Sequence, residues 1–246
     1  MAKTIGLERM VFVQASAYGA DNRCIIDAMR EVGAAARCVI GIDDSIGMAE
    51  LEDMNRAGVR GVRLNVASRG LRDVKEVSHL LQAAANRIAP LGWHLQLFTD
   101  LAVIEGLADI LRKLPVPIVI DHFGLAVSEA GLSQPGFSTL LDLLSEGRCW
   151  VKLSGCYRIS RKEPDFLDAA PIAKALIATN VDRLVWGTDW PHTGSHGHSQ
   201  SAEPDLIEYR QLDDGILIDQ LAAWTGGSGP TLQKILVHNP AQLYGF

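Results

Sequence analysis

Residues 184–192 read Leu-Val-Trp-Gly-Thr-Asp-Trp-Pro-His. A short apolar run meets a glycine, and a carboxylate follows in a turn that Pro191 stiffens. Such a run, bounded by Gly and Pro, reads as a strand buried on both faces. Successive strand residues face opposite sides, so Asp189 falls on the side shared by Gly187. Six other stretches are built the same way: 10–14, 38–42, 59–64, 93–98, 117–121 and 149–153, with the quoted run making 183–186 the last. Val11 and Val185 mark the first and last, six steps of 29 residues apart. One strand plus one helix per ~30 residues is the period of a parallel sheet wrapped by helices. Amphipathic stretches fill the intervals at 21–32, 46–57, 73–89, 101–114, 135–146, 165–178 and 213–224. No linker or composition shift divides the chain, so residues 1–246 are expected to form one domain.

Side-chain parity separates two architectures that share this rhythm. The polar parity gives Gln14 and Ser16, Gly41 and Asp43, Arg63 and Asn65, His94 and Gln96, His122, Lys152 and Ser154, and Gly187 and Asp189. Polar groups thus gather at the C-terminal ends of nearly every strand, as a (β/α)8 TIM barrel builds its site. An open doubly wound sheet would gather them at one switch point. The expected fold is the α/β barrel, and seven strands is one short of its usual eight.

Composition excludes several classes. The 246 residues carry 23 Lys+Arg against 29 Asp+Glu, a formal charge of −6, with 48% hydrophobic and 21% charged residues. That balance is not a disordered one, and no basic cluster marks a nucleic-acid surface. No apolar run approaches the ~20 residues that span a bilayer. Glu8 and Arg9 interrupt what would be the apolar stretch of a secretion signal. Cys24, Cys38, Cys149 and Cys156 form no Cys-x-x-Cys pair, which suits reduced thiols in a cytoplasm. The expectation is a cytoplasmic protein with no nucleic-acid or membrane partner.

Several residues could carry chemistry. Asp189 at a strand end could take a proton from water. The commoner use of Asp beside a turn is to accept backbone N–H groups. His122, one step past an apolar strand, could polarise a carbonyl, bind a metal, or simply be hydrogen-bonded into the rim. Asp121, of opposite parity, is expected to brace that turn, and His94 to be a hydrogen-bonded core histidine. Arg63 lies on the site parity of its strand, with Arg69 and Arg158 in loops. Arginines at several strand ends point to an anionic substrate, although for Arg69 and Arg158 solvated loop positions are the alternative. Arg60 is expected at the surface. His192, His196 and His198 crowd one Ser/Gly-rich loop, which offers little of the rigidity that metal-ligand sets need. Cys156 reads as a small rim residue.

Together the segments Val13-Gln-Ala-Ser-Ala-Tyr-Gly19, Gly61-Val-Arg-Leu-Asn65, His94-Leu-Gln-Leu-Phe98, Ile120-Asp-His-Phe-Gly124, Val151-Lys-Leu-Ser-Gly155, Trp186-Gly-Thr-Asp-Trp-Pro-His192 and His238-Asn-Pro-Ala-Gln-Leu-Tyr-Gly-Phe246 resemble the amidohydrolase superfamily. More narrowly, they resemble its branch of 2-pyrone-4,6-dicarboxylate and sugar-lactone hydrolases. The resemblance runs through the whole chain in order. It implies a barrel that hydrolyses a cyclic ester bearing carboxylates. Asp189 would be the general base, and His122 would help polarise the lactone carbonyl. Ser16, Arg63, Arg69 and Arg158 would hold the substrate. It implies no cofactor, with a divalent metal such as zinc the less favoured alternative.

Two places depart from the family pattern. Members begin with a strand ending in His-x-His, and Met1–Gly6 here resembles the end of the first family helix. The expectation is a barrel lacking its first strand and most of its first helix, and self-associating into a homo-oligomer through its open edges. Leu125 and Phe98 also stand where the pyrone branch carries an arginine and an aromatic hydroxyl. The competing readings are a metal-dependent amidohydrolase or decarboxylase of the same superfamily, and an inactive barrel that acts only in binding.

Overall fold

Strands of Val, Ile and Leu form because β-branched and aliphatic chains fit a pleated surface covered on both sides. In the computed structural model, which describes residues 3–193 and 209–246, seven do so. They are β1 (Met10–Val13), β2 (Ala36–Ile40), β3 (Val59–Asn65), β4 (His94–Phe98), β5 (Ile118–Ile120), β6 (Cys149–Ser154) and β7 (Leu184–Gly187). All pairings are parallel and the strands lie in chain order. Each expected strand is found, with ends moved by one or two residues.

The helices are α1 (Arg23–Val32), α2 (Met48–Ala57), α3 (Val74–Ile88), α4 (Leu101–Leu111), α5 (Phe137–Ser145), α6 (Ala170–Asn180) and α7 (Asp214–Trp224). Asp73, Asp100 and Asp213 cap α3, α4 and α7 by accepting first-turn N–H groups. The sixth helix starts five residues later than expected, because Phe166 is left-handed (φ 46°) and residues 167–169 form a tighter turn. Beyond α7, α8 (Gly229–Gln233) runs through a π-helical turn into α9 (Asn239–Tyr244).

The two faces of the sheet differ sharply. Against the helices it buries one aliphatic layer that includes Val62, Leu95, Leu97, Ile118, Ile120, Val151, Leu153 and Leu184. The inner face holds a small apolar patch, Val119, Trp150 and Val185 with Leu243 of α9, and above it a set of charged groups. Register fixes which residues share that face: Arg63 pairs with Gln96, Gln96 with Val119, and Val119 with Trp150. Asp121 shares the parity of Val119 and points inward, contrary to the expectation that it braces the turn. His122 shares the parity of the outer layer. It reaches the site because the chain reverses handedness there, with positive φ at His122, Phe123, Gly124 and Leu125 (47°, 56°, 65° and 51°). On β1 the parity is likewise the other one. Gln14 is buried, and its Nε2 donates to the carbonyls of Gly19 and Asp21.

Two smaller expectations are corrected. His94 is buried, but neither ring nitrogen makes a well-formed hydrogen bond among the described residues; its ring meets Tyr244 edge-on at 5.3 Å. Burial, with Lys152 nearby, lowers its pKa to about 3. Gly61 makes room for it, since a Cβ there would lie 2.4 Å from the imidazole. Arg60 is half-buried, its guanidinium held by the carbonyls of Asn55 and Val59.

Candidate active site

The floor of the site is a buried carboxylate. Asp121 Oδ1 lies 2.8 Å from Lys152 Nζ, while Oδ2 accepts from Gln96 Nε2 at 2.8 Å and Arg63 Nε at 3.3 Å. Burial alone would push its pKa up, but Lys152, His122 and Arg63 pull it far below the usual carboxylate range. Arg63 also donates to the Gln14 carbonyl at 3.3 Å, which ties β3 to β1. Its guanidinium therefore has a resident counter-charge.

The rim is a second carboxylate. Asp189 follows β7 with φ 63°, and its Oδ2 accepts from Tyr157 Oη at 2.6 Å and Arg158 Nε at 2.8 Å. Oδ1 faces His122 Nε2 at 3.8 Å. Burial opposes ionisation, yet His122, Arg158 and the two hydrogen bonds outweigh it and hold the pKa at about 2. His122 Nδ1 lies 3.0 Å from Ser154 Oγ and 3.2 Å from the Ser154 carbonyl. Burial lowers the His122 pKa despite the neighbouring Asp189 and Asp121, so the ring is neutral near pH 7. Gly155 makes this packing workable: a Cβ there would stand 2.8 Å from Asp189 Oδ2 and 3.0 Å from His122 Nδ1, at φ 64°.

Phe98 joins floor to rim. The guanidinium carbons of Arg63 and Arg158 lie 5.2 and 5.7 Å from its ring centroid, and His122 meets it edge-on at 5.2 Å. On the β1–β3 side an open cleft of about 540 Å³ is lined by residues that include Ser16, Arg63, Asn65 and Arg69. Ser16 Oγ accepts from Asn65 Nδ2 there. The expected residues thus fall into two groups, Asp189, His122 and Arg158 at the rim and Ser16, Arg63 and Arg69 in the cleft, with Phe98 between Arg63 and Arg158. Sequence reasoning missed Tyr157, Gly155 and the central place of Asp121. The register Gln96–Val119 would have turned Asp121 inward.

For a metal, the described residues bring together no group of three His, Cys, Asp or Glu side chains. His196 and His198 lie outside the described residues. At the rim, Arg158 and Tyr157 occupy Oδ2 of Asp189, while Oδ1 lies 3.8 Å from His122 Nε2.

Two carboxylates, an imidazole and several cations thus gather at the strand ends. The sequence profile of the amidohydrolase family matches residues 1–246, and the chain belongs to that family. It is 35% identical to the 2-pyrone-4,6-dicarboxylate hydrolase of Comamonas testosteroni, over 98% of this chain and 77% of the relative. It is 32% identical to the 4-sulfomuconolactone hydrolase of Hydrogenophaga intermedia, over 98% of this chain and 76% of the relative. A crystal structure from Pseudomonas putida, provisionally described as a 2-pyrone-4,6-dicarboxylic acid hydrolase, superposes with a TM-score of 0.82 at 34% identity. That match covers 99% of this chain and 84% of the solved one.

Proposed function

We propose that this protein hydrolyses a small lactone bearing carboxylate or similarly anionic groups, of the 2-pyrone-4,6-dicarboxylate or sugar-acid lactone kind. The observation that carries the reading is Asp189: an ionised, largely enclosed carboxylate with one oxygen saturated by donors and the other open. Water beside Oδ1 attacks the lactone carbonyl as Oδ1 takes its proton. The tetrahedral oxyanion then collapses, the ring C–O bond breaks, and the leaving oxygen recovers that proton from Asp189. A hydroxyl and a carboxylic acid result, and the acid ionises to a carboxylate by releasing its proton to solvent. His122 polarises the carbonyl through Nε2–H, a role for which Ser154 Oγ is placed to donate to Nδ1. Arg63, Arg69 and Arg158, with Ser16, hold the substrate anions; the relatives named for a dicarboxylate and a sulfonated lactone support that class.

We read the seven strands as part of an eight-stranded barrel with its first strand missing. The outer edges of β1 and β7 have no strand beside them among the described residues, which supports this. A cytoplasmic setting and the absence of a resident metal belong to the same proposal. The four cysteines are free, and no helix among the described residues is long and apolar enough to cross a membrane. The direct test offers the purified chain 2-pyrone-4,6-dicarboxylate, a sulfonated muconolactone and a neutral lactone, following ring opening by absorbance with and without chelator. Turnover of an anionic lactone that survives chelation is expected. No turnover of any of the three, or turnover that the chelator abolishes, overturns the reading.

A further inference from the structure

The two donors on Asp189 come from adjacent residues, and they do not have the same freedom. Arg158 Nη2 also reaches Thr193 Oγ1 and Tyr157 Oη, both at 3.3 Å, and the guanidinium carbon lies 5.7 Å from the Phe98 ring centroid. A guanidinium so placed can turn to an incoming anion. Tyr157 cannot. Its ring is buried, with His192 edge-on at 6.0 Å on one side and the Arg210 guanidinium 5.3 Å from its centroid. Its hydroxyl has one anionic partner, Oδ2 of Asp189 at 2.6 Å.

We infer that Tyr157 is the positioning residue of this site: its hydroxyl pins Asp189 Oδ2, which leaves Oδ1 as the oxygen that takes the proton from water and frees Arg158 to meet the substrate. The inference rests on Asp189 being the base proposed above. The groups that face Asp189 are His122 from the turn after β5, Tyr157, Arg158 and the Cys156 thiol from the turn after β6, and His192 on its own loop, whose N–H donates to the Asp189 carbonyl. Burial and Asp189 both push the Tyr157 hydroxyl pKa up, so it stays a donor throughout the working pH range. A donor with no competing partner fixes the carboxylate plane as well as its charge.

Tyr157→Phe removes the hydroxyl and keeps the ring, so its packing against His192 and Arg210 survives. With an anionic lactone as probe, kcat is expected to fall about 10- to 100-fold while KM stays within about twofold, since a hydrogen bond to a charged group is lost at the base alone. The second readout needs no turnover. In protein labelled with ¹³C at Asp carboxyls, the Asp189 signal, assigned by its absence in Asp189→Asn, should titrate about one to two pH units higher in Tyr157→Phe. An unmoved titration overturns the inference, as does a rise in KM with kcat unchanged. A chain that opens no lactone but shows the shifted titration would instead sink the proposed function and leave Tyr157 as the residue that positions Asp189.

Discussion

Asp121 and Asp189 are both carboxylates in largely enclosed surroundings, each beside cations, each held ionised well below its ordinary range. They are not doing the same job, and the difference lies in how donors are shared between oxygens. Asp121 has both oxygens engaged, Oδ1 by Lys152 and Oδ2 by Gln96 and Arg63, and its side chain is 1% exposed. Asp189 has both close donors on Oδ2, and at 20% exposure its Oδ1 can meet water. On this reading a carboxylate held by cations at both oxygens acts as a fastener, and one held at a single oxygen is left able to act as the base proposed above. Charge and burial alone would not have told them apart.

The comparison can be broken most sharply at the rim. Asp189→Asn is expected to lower kcat on an anionic lactone by about 10²–10⁴-fold, with circular dichroism and melting close to the parent, because an amide cannot take the proton. Near-parental kcat would remove Asp189 from the chemistry. At the floor the order of effects reverses. Asp121→Asn strands Lys152 and Arg63 as buried charges without their partner, a loss of about 3–5 kcal/mol, and should lower Tm by roughly 6–20 °C. An unchanged Tm would show that Asp121 fastens nothing.

Arg63 sits between the two regions, and Arg63→Met sharpens the distinction. Loss of a carboxylate contact of about 1.5–3 kcal/mol should raise KM for an anionic lactone about 10- to 150-fold. A neutral lactone should be affected less. Equal losses on both would mean that Arg63 serves Asp121 alone. The smallest effect is on acid stability. Both carboxylates have folded pKa values below the unfolded ~3.9, so each stabilises the fold fully above that value and loses its contribution as pH falls through the folded pKa. For Asp189 the window runs from about pH 4 down to about 2. Urea melts across that window should be less pH-dependent in Asp189→Asn than in the parent, and identical slopes would contradict the depressed pKa.

Much of the fold was legible because burial on both faces leaves few choices: all seven strands and the seven helices between and after them follow from the 29-residue rhythm. Parity placed Asp189 on the inner side, where its carboxylate meets Tyr157 and Arg158, because β7 is extended up to Gly187 and the chain turns left-handed only on reaching Asp189. It misled at β5, where two residues exchanged roles. Asp121 was set aside as a brace and His122 placed on the inner face, because alternation assumes an extended chain and the chain at His122 is left-handed. Tyr157 was illegible for another reason. Its partner lies 32 residues away, on the loop after the neighbouring strand, and a tyrosine beside an arginine carries no local sign of that contact.

The left-handed run from His122 to Leu125 has an evolutionary side. Three of its four residues carry a Cβ, and each loses about 1–2 kcal/mol to the wrong hand, most for β-branched side chains and least for Asn and Asp. Once the surrounding structure holds the turn, exchanging one unbranched side chain for another at position 125 adds little further backbone cost, while Gly124 and the imidazole at 122 stay where they are. A lineage could thus change what stands beside the imidazole many times over without rebuilding the strand that carries it.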